Sequence, residues 1–207
     1  MSVHSSASKF QLQQSYDRQA RERDRFGKDD WKLAERALFL SSLRERHLNR
    51  LLEVGAGTGQ DSAFFQENGV IVTAVDLSRE MIRLCRNKQL DARQMDLYNL
   101  DFPPDSFDAI WSLNCLLHVP KTDFSEVLVG IRRVLRSAGV FYLGVYGGLD
   151  SEGTWEGDSC VPQRFFSFHT DESLQEAVSR HFRILSFRPV DYGHPVLHFQ
   201  SLMLQKV

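Results

Sequence analysis

The residues best placed to do chemistry are a run of glycines and three carboxylates around it. Leu51-Leu52-Glu53-Val54 leads into Gly55-Ala56-Gly57-Thr58-Gly59, and a helix-forming segment follows. A chain uses glycine where the backbone turns sharply, or where a ligand must approach without meeting a Cβ. A helix starting just after such a turn aims unpaired N–H groups and a positive dipole end at a negative ligand group. Asp76 follows the apolar strand that ends Ala74-Val75, about 20 residues past the first glycine, where a carboxylate accepts from both hydroxyls of a ribose. Asp96, in Gln94-Met95-Asp96-Leu97, ends a third strand-like stretch and has the oxygens to accept from an adenine amino group. Leu77, Met81 and Leu97 are apolar neighbours suited to sandwich the purine. The competing readings are a glycine turn with no ligand and an aspartate that only caps the helix after Leu77-Ser78. Acids ending three successive strand patterns beside one glycine loop point instead to a nucleotide-like ligand.

Spacing separates the ligand classes. A dinucleotide fingerprint runs G-x-G-x-x-G, whereas this loop runs G-x-G-x-G with Glu53 before it. That pattern resembles motif I of the class I S-adenosylmethionine (SAM)-dependent methyltransferases. From about Leu51 to Phe141 the chain is similar to their core, including Val75-Asp76-Leu77-Ser78-Arg79-Glu80-Met81 and Pro104-Asp105-Ser106-Phe107-Asp108-Ala109-Ile110. The stretch Phe168-His169-Thr170-Asp171-Glu172-Ser173-Leu174 and the hairpin read after it resemble the same enzymes. The resemblance implies an α/β, Rossmann-like sheet of order 3-2-1-4-5-7-6, strand 7 antiparallel, with helices on both faces. It implies SAM as cofactor, held by Glu53, Gly55, Gly57, Gly59, Asp76, Asp96 and Asn114. Ser15-Tyr16-Asp17 resembles a segment that related enzymes place over the cofactor, which adds Tyr16. The implied activity is in-line transfer of a methyl group to an O, N or S atom of a small-molecule acceptor. An NAD(P)-dependent oxidoreductase and a non-catalytic SAM-binding partner subunit are the alternatives.

The acceptor side falls on Ser112-Leu113-Asn114-Cys115-Leu116-Leu117-His118-Val119-Pro120. His118 is the candidate base, since imidazole titrates near neutrality; its other reading is a residue that orients the loop or touches the cofactor. Methyl transfer from a sulfonium can also proceed by alignment alone. The segment has no Asn/Asp-Pro-Pro-aromatic run for exocyclic base amines. Cys115 has no proline beside it, unlike a base-carbon nucleophile, and reads as a small buried hydrophobe. With a net charge of −2, no global positive field recruits nucleic acid. Tyr146 and His169 are further candidates whose structural reading is the stronger. The acidic loop with Asp150, Glu152, Glu156, Asp158 and Trp155 suits either an amine substrate or a solvated lid. Arg18, Arg21, Arg23 and Arg25 alternate with Glu22 and Asp24, as on a solvated helix face.

The elements that must position these residues are legible as alternating patterns. After an unstructured tail over 1–8, helices are expected from Lys9 to Arg25 and from about Trp31 to Leu48, forming a lid over 1–48. The core, 49–207, completes a single domain. Strands are expected at Arg50–Val54, Val70–Val75, Ala92–Met95, Phe107–Trp111 and Val140–Tyr146. Helices lie between them at about Thr58–Asn68, Arg79–Asn87 (Ser78 as N-cap) and Asp123–Leu135, the last stopped by Ser137-Ala138-Gly139. This alternation predicts a mainly parallel sheet. The end departs from it, with a helix at Asp171–Arg180 and strands at Phe182–Pro189 and Leu197–Leu204 that must pair antiparallel. Gly147 to Thr170 reads as one long functional or mobile loop. Three widely spaced cysteines and the polar stretch Met1–Phe10 point to a reducing, cytoplasmic setting. No apolar run is long enough for a membrane span. The acceptor's identity and the oligomeric state have no signal in the sequence.

Overall fold

In the computed structural model, which describes residues 4–207 and side chains from Ser8 onward, the apolar stretches become strands. They are β1 (Arg50–Val54), β2 (Ile71–Asp76), β3 (Asp91–Gln94), β4 (Phe107–Leu113) and β5 (Leu135–Gly147). A small hairpin, β6 (Ser151–Thr154) and β7 (Phe165–Phe168), precedes β8 (Arg183–Val190) and β9 (His198–Gln205). The helices are α1 (His4–Arg25), α2 (Asp30–Glu45), α3 (Gln60–Glu67), α4 (Arg79–Asn87), α5 (Lys121–Val134) and α6 (Asp171–Ser179). The main sheet runs β3-β2-β1-β4-β5-β9-β8. The first five strands are parallel, and β9 is antiparallel to both β5 and β8. That is the implied 3-2-1-4-5-7-6 order, with β8 and β9 as its last two strands because the hairpin takes two numbers.

Leu51, Leu52 and Val54 of β1 and Ala109, Ile110 and Trp111 of β4 are all buried, as strands covered on both faces must be. One apolar layer joins the sheet to α5 and α6 through Phe124, Leu128, Ile131, Phe141 and Leu174. The other joins it to α2 and α3 through Phe39, Leu43, Phe65, Trp111 and Tyr142, with the Trp111 and Tyr142 rings stacked at 4.0 Å. Ser78 caps α4, its hydroxyl accepting the Met81 N–H at 3.1 Å, and Thr170 caps α6 through the Ser173 N–H at 3.1 Å. Among the described residues no helix is long and apolar enough to cross a membrane.

Three segments differ from the sequence reading. The tail expected over 1–8 is helical from His4, and residues 1–3 lie outside the described residues; tertiary anchors on α1, described below, extend it past its weak propensity. The expected long loop from Gly147 to Thr170 contains the β6–β7 hairpin, in register from Ser151↔Phe168 to Thr154↔Phe165. Its aromatic residues stabilise it: Phe166 and Phe168 stack at 5.6 Å, and Trp155 meets Phe168 edge-on at 5.3 Å. Finally, β5 starts at Leu135, so Ser137-Ala138-Gly139 lies inside a strand. Gly139 fits there because a Cβ would stand 2.8 Å from the Asp108 carbonyl oxygen.

Candidate active site

A cavity of about 380 Å³ opens beyond the C-terminal ends of β1, β2 and β4, where open α/β sheets bind ligands. The glycine loop forms its floor. Gly55 and Gly57 adopt φ of 77° and 54°, and a Cβ on Gly55 would lie 2.4 Å from the Cβ of Cys115. Asp76 organises the loop's far side: its Oδ2 accepts the Gly57 N–H and its Oδ1 the Ser78 N–H, both at 2.8 Å. Burial raises the Asp76 carboxyl above its ordinary value, opposed by those two backbone hydrogen bonds. Asp96 and the apolar side chains of Leu77 and Leu97 line the next stretch of wall. At the opposite end stand Glu53 and Asn114. Among the described residues the Asn114 Oδ1 is buried without a hydrogen-bond partner, on a residue held at φ 55°. A buried acceptor left so costs about 1–3 kcal/mol, and a ligand donor in the cavity would recover it.

Residues 52–143 match the family described as "Methyltransferase domain". Methyltransferase GfsG of Streptomyces halstedii is 27% identical over 139 residues, covering 61% of this chain and 48% of its own. The chain spans about half the length of the curated relatives it matches. Among solved structures, the Burkholderia thailandensis 1,6-didemethyltoxoflavin-N1-methyltransferase, with its substrate and S-adenosylhomocysteine bound, superposes with a TM-score of 0.74 at 24% identity. The match covers 100% of this chain and 91% of that one. The chain carries a methyltransferase domain over residues 52–143. The [4+2]-cyclase SpnF has the same fold, with a TM-score of 0.74 at 20% identity and 96% coverage of both chains.

Two sequence-predicted cofactor residues of this methyltransferase fold are placed away from the cavity. Met81 is fully buried, packed in a cluster with Ala20, Leu84 and Tyr16, because α4 turns that face toward α1. Gly59 sits at φ 80° as the N-cap of α3; a Cβ there would strike Leu90 and Cys85 at 2.6 and 2.8 Å. Its missing side chain thus serves the packing of α3 on α4. Tyr146 joins a ring cluster with Trp31, Tyr192 and Phe199. His169 packs on Phe124 at 5.1 Å, and neither lines the cavity. Two acids of the loop are paired: Asp150 with Lys121 at the start of α5, Asp158 with Arg164 within the loop. Burial pushes the Cys115 thiol up, which keeps it a packing group against Gly55.

Long-range contacts brought in residues that local pattern did not reveal. Lys9 of α1 donates to Asp96 Oδ2 at 2.9 Å and lies 3.5 Å over the Tyr98 ring. It therefore uses the oxygen assigned to an adenine amino group. A half-exposed ion pair of this kind contributes about 1 kcal/mol or less. Lys9→Met, which keeps the stem on Tyr98, is expected to tighten S-adenosylhomocysteine binding by up to roughly fivefold in calorimetry; weaker binding would place Lys9 within the bound site. Asp17 reaches the start of α4, accepting from the Ser78 hydroxyl at 2.5 Å and the Glu80 N–H at 3.1 Å, so α1 is docked on the turn that Asp76 also holds through the Ser78 N–H. Asp61 gathers Lys28 at 2.9 Å, Arg36 at 3.3 Å and the Trp111 indole N–H at 3.2 Å.

Asp61 also acts on Glu53, which accepts from the Ser62 hydroxyl. Burial first, and the Asp61 charge second, hold the Glu53 carboxyl well above the ordinary glutamate range. The folded chain then keeps a proton that the unfolded chain has released. This stability is fully present below the ordinary glutamate pKa and is lost as pH rises through the raised one. Glu53→Gln keeps the shape and is expected to flatten that loss. Its melting temperature should exceed the wild type's by a few degrees near pH 8 and match it near pH 4, while parallel curves would contradict the assignment.

His118 also lines the cavity, with Phe165 and Tyr16. Its Nδ1 lies 2.6 Å from the Phe165 carbonyl oxygen and its Nε2 lies 2.7 Å from the Tyr16 hydroxyl. Burial lowers its pKa to about 3, so the imidazole is neutral at physiological pH. The Arg164 guanidinium donates to the same Tyr16 oxygen at 3.1 Å and is held by buried Asp158 at 2.7 Å. Ser15 and Arg18 add hydrogen bonds from α1 to the carbonyls of Pro162 and Val161. Helix α1 and the tip of the β6–β7 hairpin are therefore latched to each other across the cavity mouth.

Proposed function

We propose that this chain transfers the methyl group of SAM to a small-molecule acceptor. The observation that carries the reading is the Asp76 carboxylate. It is fixed by two backbone N–H groups in a cavity that also holds Asp96 and the unpartnered Asn114 Oδ1. Asp76 would take the ribose hydroxyls, Asp96 the adenine amino group, and Leu77 and Leu97 the faces of the ring. Gly55 and Gly57 leave room for the backbone to approach the ligand, and Asn114 with protonated Glu53 faces the amino-acid end. The bound cofactor supplies a sulfonium-activated methyl group. The chain's own part is alignment and exclusion of water, with His118 positioning Tyr16 rather than acting as a free base, since its Nε2 is already engaged.

Of the lid expected over 1–48 on the 49–207 core of one domain, α1 would be the part that closes, bringing Lys9, Tyr16 and Asp17 to the rim, while α2 packs into a core layer. We place the enzyme in the cytoplasm with no nucleic-acid partner, on its net charge of −2 and its three free cysteines. Calorimetry separates this reading from the oxidoreductase: S-adenosylhomocysteine should bind at one site with micromolar affinity and NAD should not. Binding of NAD without S-adenosylhomocysteine would reverse the conclusion.

A further inference from the structure

The hydrogen-bond chain in the cavity wall has a fixed direction, and that direction restricts the acceptor. It starts at the Phe165 carbonyl, which can only accept, so the His118 Nδ1 at 2.6 Å carries the ring's hydrogen. A neutral imidazole has one N–H, which leaves Nε2 as an acceptor. The Tyr16 hydroxyl at 2.7 Å must then donate to it. On its other side the Tyr16 oxygen receives a hydrogen from Arg164 at 3.1 Å. Arg164 has no freedom to leave, because Asp158, itself buried, holds its Nη2 at 2.7 Å, and the guanidinium lies over the Phe166 ring at 5.1 Å. A phenol has one hydrogen and two lone pairs. The hydrogen and one lone pair are committed, and a single lone pair remains in a residue that lines the cavity.

Resting on the methyl-transfer reading of this cavity, we propose that the acceptor's nucleophile is a neutral hydroxyl or amine that donates its own hydrogen to the free lone pair of Tyr16, so that carboxylates and other groups with no hydrogen to give are excluded. Such a group would meet lone pair against lone pair at Tyr16 and lose its hydration without replacement. A hydroxyl or amine instead keeps a lone pair free, turned away from Tyr16 and available to the methyl carbon. In the transfer that pair forms the new bond to carbon as the carbon–sulfur bond breaks, its electrons going to sulfur to leave a neutral thioether. An amine product retains its proton as an ammonium, and a hydroxyl product releases it to solvent. Neither route requires His118 to become charged in its buried position. The Tyr16–His118 pair is thus a filter on acceptor polarity.

The direction of the chain can be read without turnover. Nitrogen-15 NMR of the histidine-labelled protein, with and without S-adenosylhomocysteine, should show His118 neutral at pH 7 and protonated on Nδ1. An Nε2-protonated or charged ring would overturn the proposal, because Tyr16 would then present its hydrogen to the cavity. Phenol and benzoate are the binding probes, matched in size and opposite in polarity. In the S-adenosylhomocysteine complex phenol should bind, Tyr16→Phe should weaken it at least fivefold, and benzoate should not bind. Benzoate binding as well as phenol, or an unchanged phenol affinity in a Tyr16→Phe variant of normal melting temperature, would also overturn it. Failure of S-adenosylhomocysteine to bind would defeat the functional reading instead, and the histidine spectrum reports on the free protein either way.

Discussion

Asp76→Ala is expected to weaken S-adenosylhomocysteine binding by about 100-fold or more while leaving the protein folded. The carboxylate has two tasks that alanine abandons together. It accepts the Gly57 and Ser78 N–H groups, at 2.8 Å each, and it faces the cavity where ribose hydroxyls would meet it. Hydrogen bonds to a charged group contribute about 1.5–3 kcal/mol each, so losing even one ligand-facing pair and loosening the loop amounts to roughly 3 kcal/mol, or two factors of ten. Asp76→Asn should fall between, since it keeps the shape and one acceptor oxygen. Calorimetry on the three proteins orders them. Equal affinities would mean that Asp76 is only a cap on the turn before α4.

Gly55→Ala should act on folding before it acts on ligand. Its φ of 77° costs a residue with a Cβ about 1–2 kcal/mol. The new methyl group would also stand 2.4 and 2.5 Å from the Cβ and Sγ of Cys115, and overpacking of that kind costs about 1–3 kcal/mol more. At roughly 2–4 °C per kcal/mol for a chain of this size, the melting temperature should drop by about 5–15 °C. Cys115→Gly in the same chain removes the colliding atoms and should restore part of the loss. Gly57→Ala is the contrast: at φ 54° it pays only the backbone term, because among the described residues no atom beyond its own chain neighbours lies within 4 Å of its Cβ position. A Gly55 variant as stable as the Gly57 variant would contradict the close approach of β4's exit loop to the glycine turn.

These contrasts mark where the sequence was legible. The glycine turn, Asp76 and the strand–helix alternation follow from local pattern, because each strand's apolar run and each helix's cap is written within a few residues; the order of the strands came only with the family resemblance. Asp96 was likewise visible, at the end of a strand pattern. Gly59 and Met81 share that neighbourhood but face α4 packing, since spacing along a chain does not tell which side of a turn meets the ligand. The partners of Asp96 and His118 could not be read at all. Lys9 is 87 residues from Asp96, Tyr16 is 102 from His118, and Arg164 is 148 from Tyr16. Lys9 sits in a polar stretch of α1 indistinguishable from a solvated face, and the resemblance that singled out Tyr16 did not name His118 as its partner. The β6–β7 hairpin was hidden for a related reason: its glycines and acids dominate the composition, while its stability comes from rings that meet only after the strands pair.

The same long-range contacts define how the site works. Asp17 fixes α1 over the start of α4, Arg164 fixes Tyr16 against His118, and Asp61 ties α3 to the segment joining α1 and α2 through Lys28. All three clamp a helix onto the cavity mouth, and a closed mouth is what strengthens electrostatic contacts inside and keeps water from the reacting centre. Since the same fold also supports the [4+2]-cyclase SpnF, fold alone does not choose the reaction; the groups facing the cavity must.

The most direct measurement supplies the protein with SAM carrying a trideuterated methyl group, together with a fractionated small-molecule extract, and follows both products by mass spectrometry. The account predicts that S-adenosylhomocysteine accumulates in step with a labelled product whose methyl group sits on a former hydroxyl or amine, and that Asp76→Ala abolishes both. Tight S-adenosylhomocysteine binding with no label transferred to any compound in the extract would contradict it.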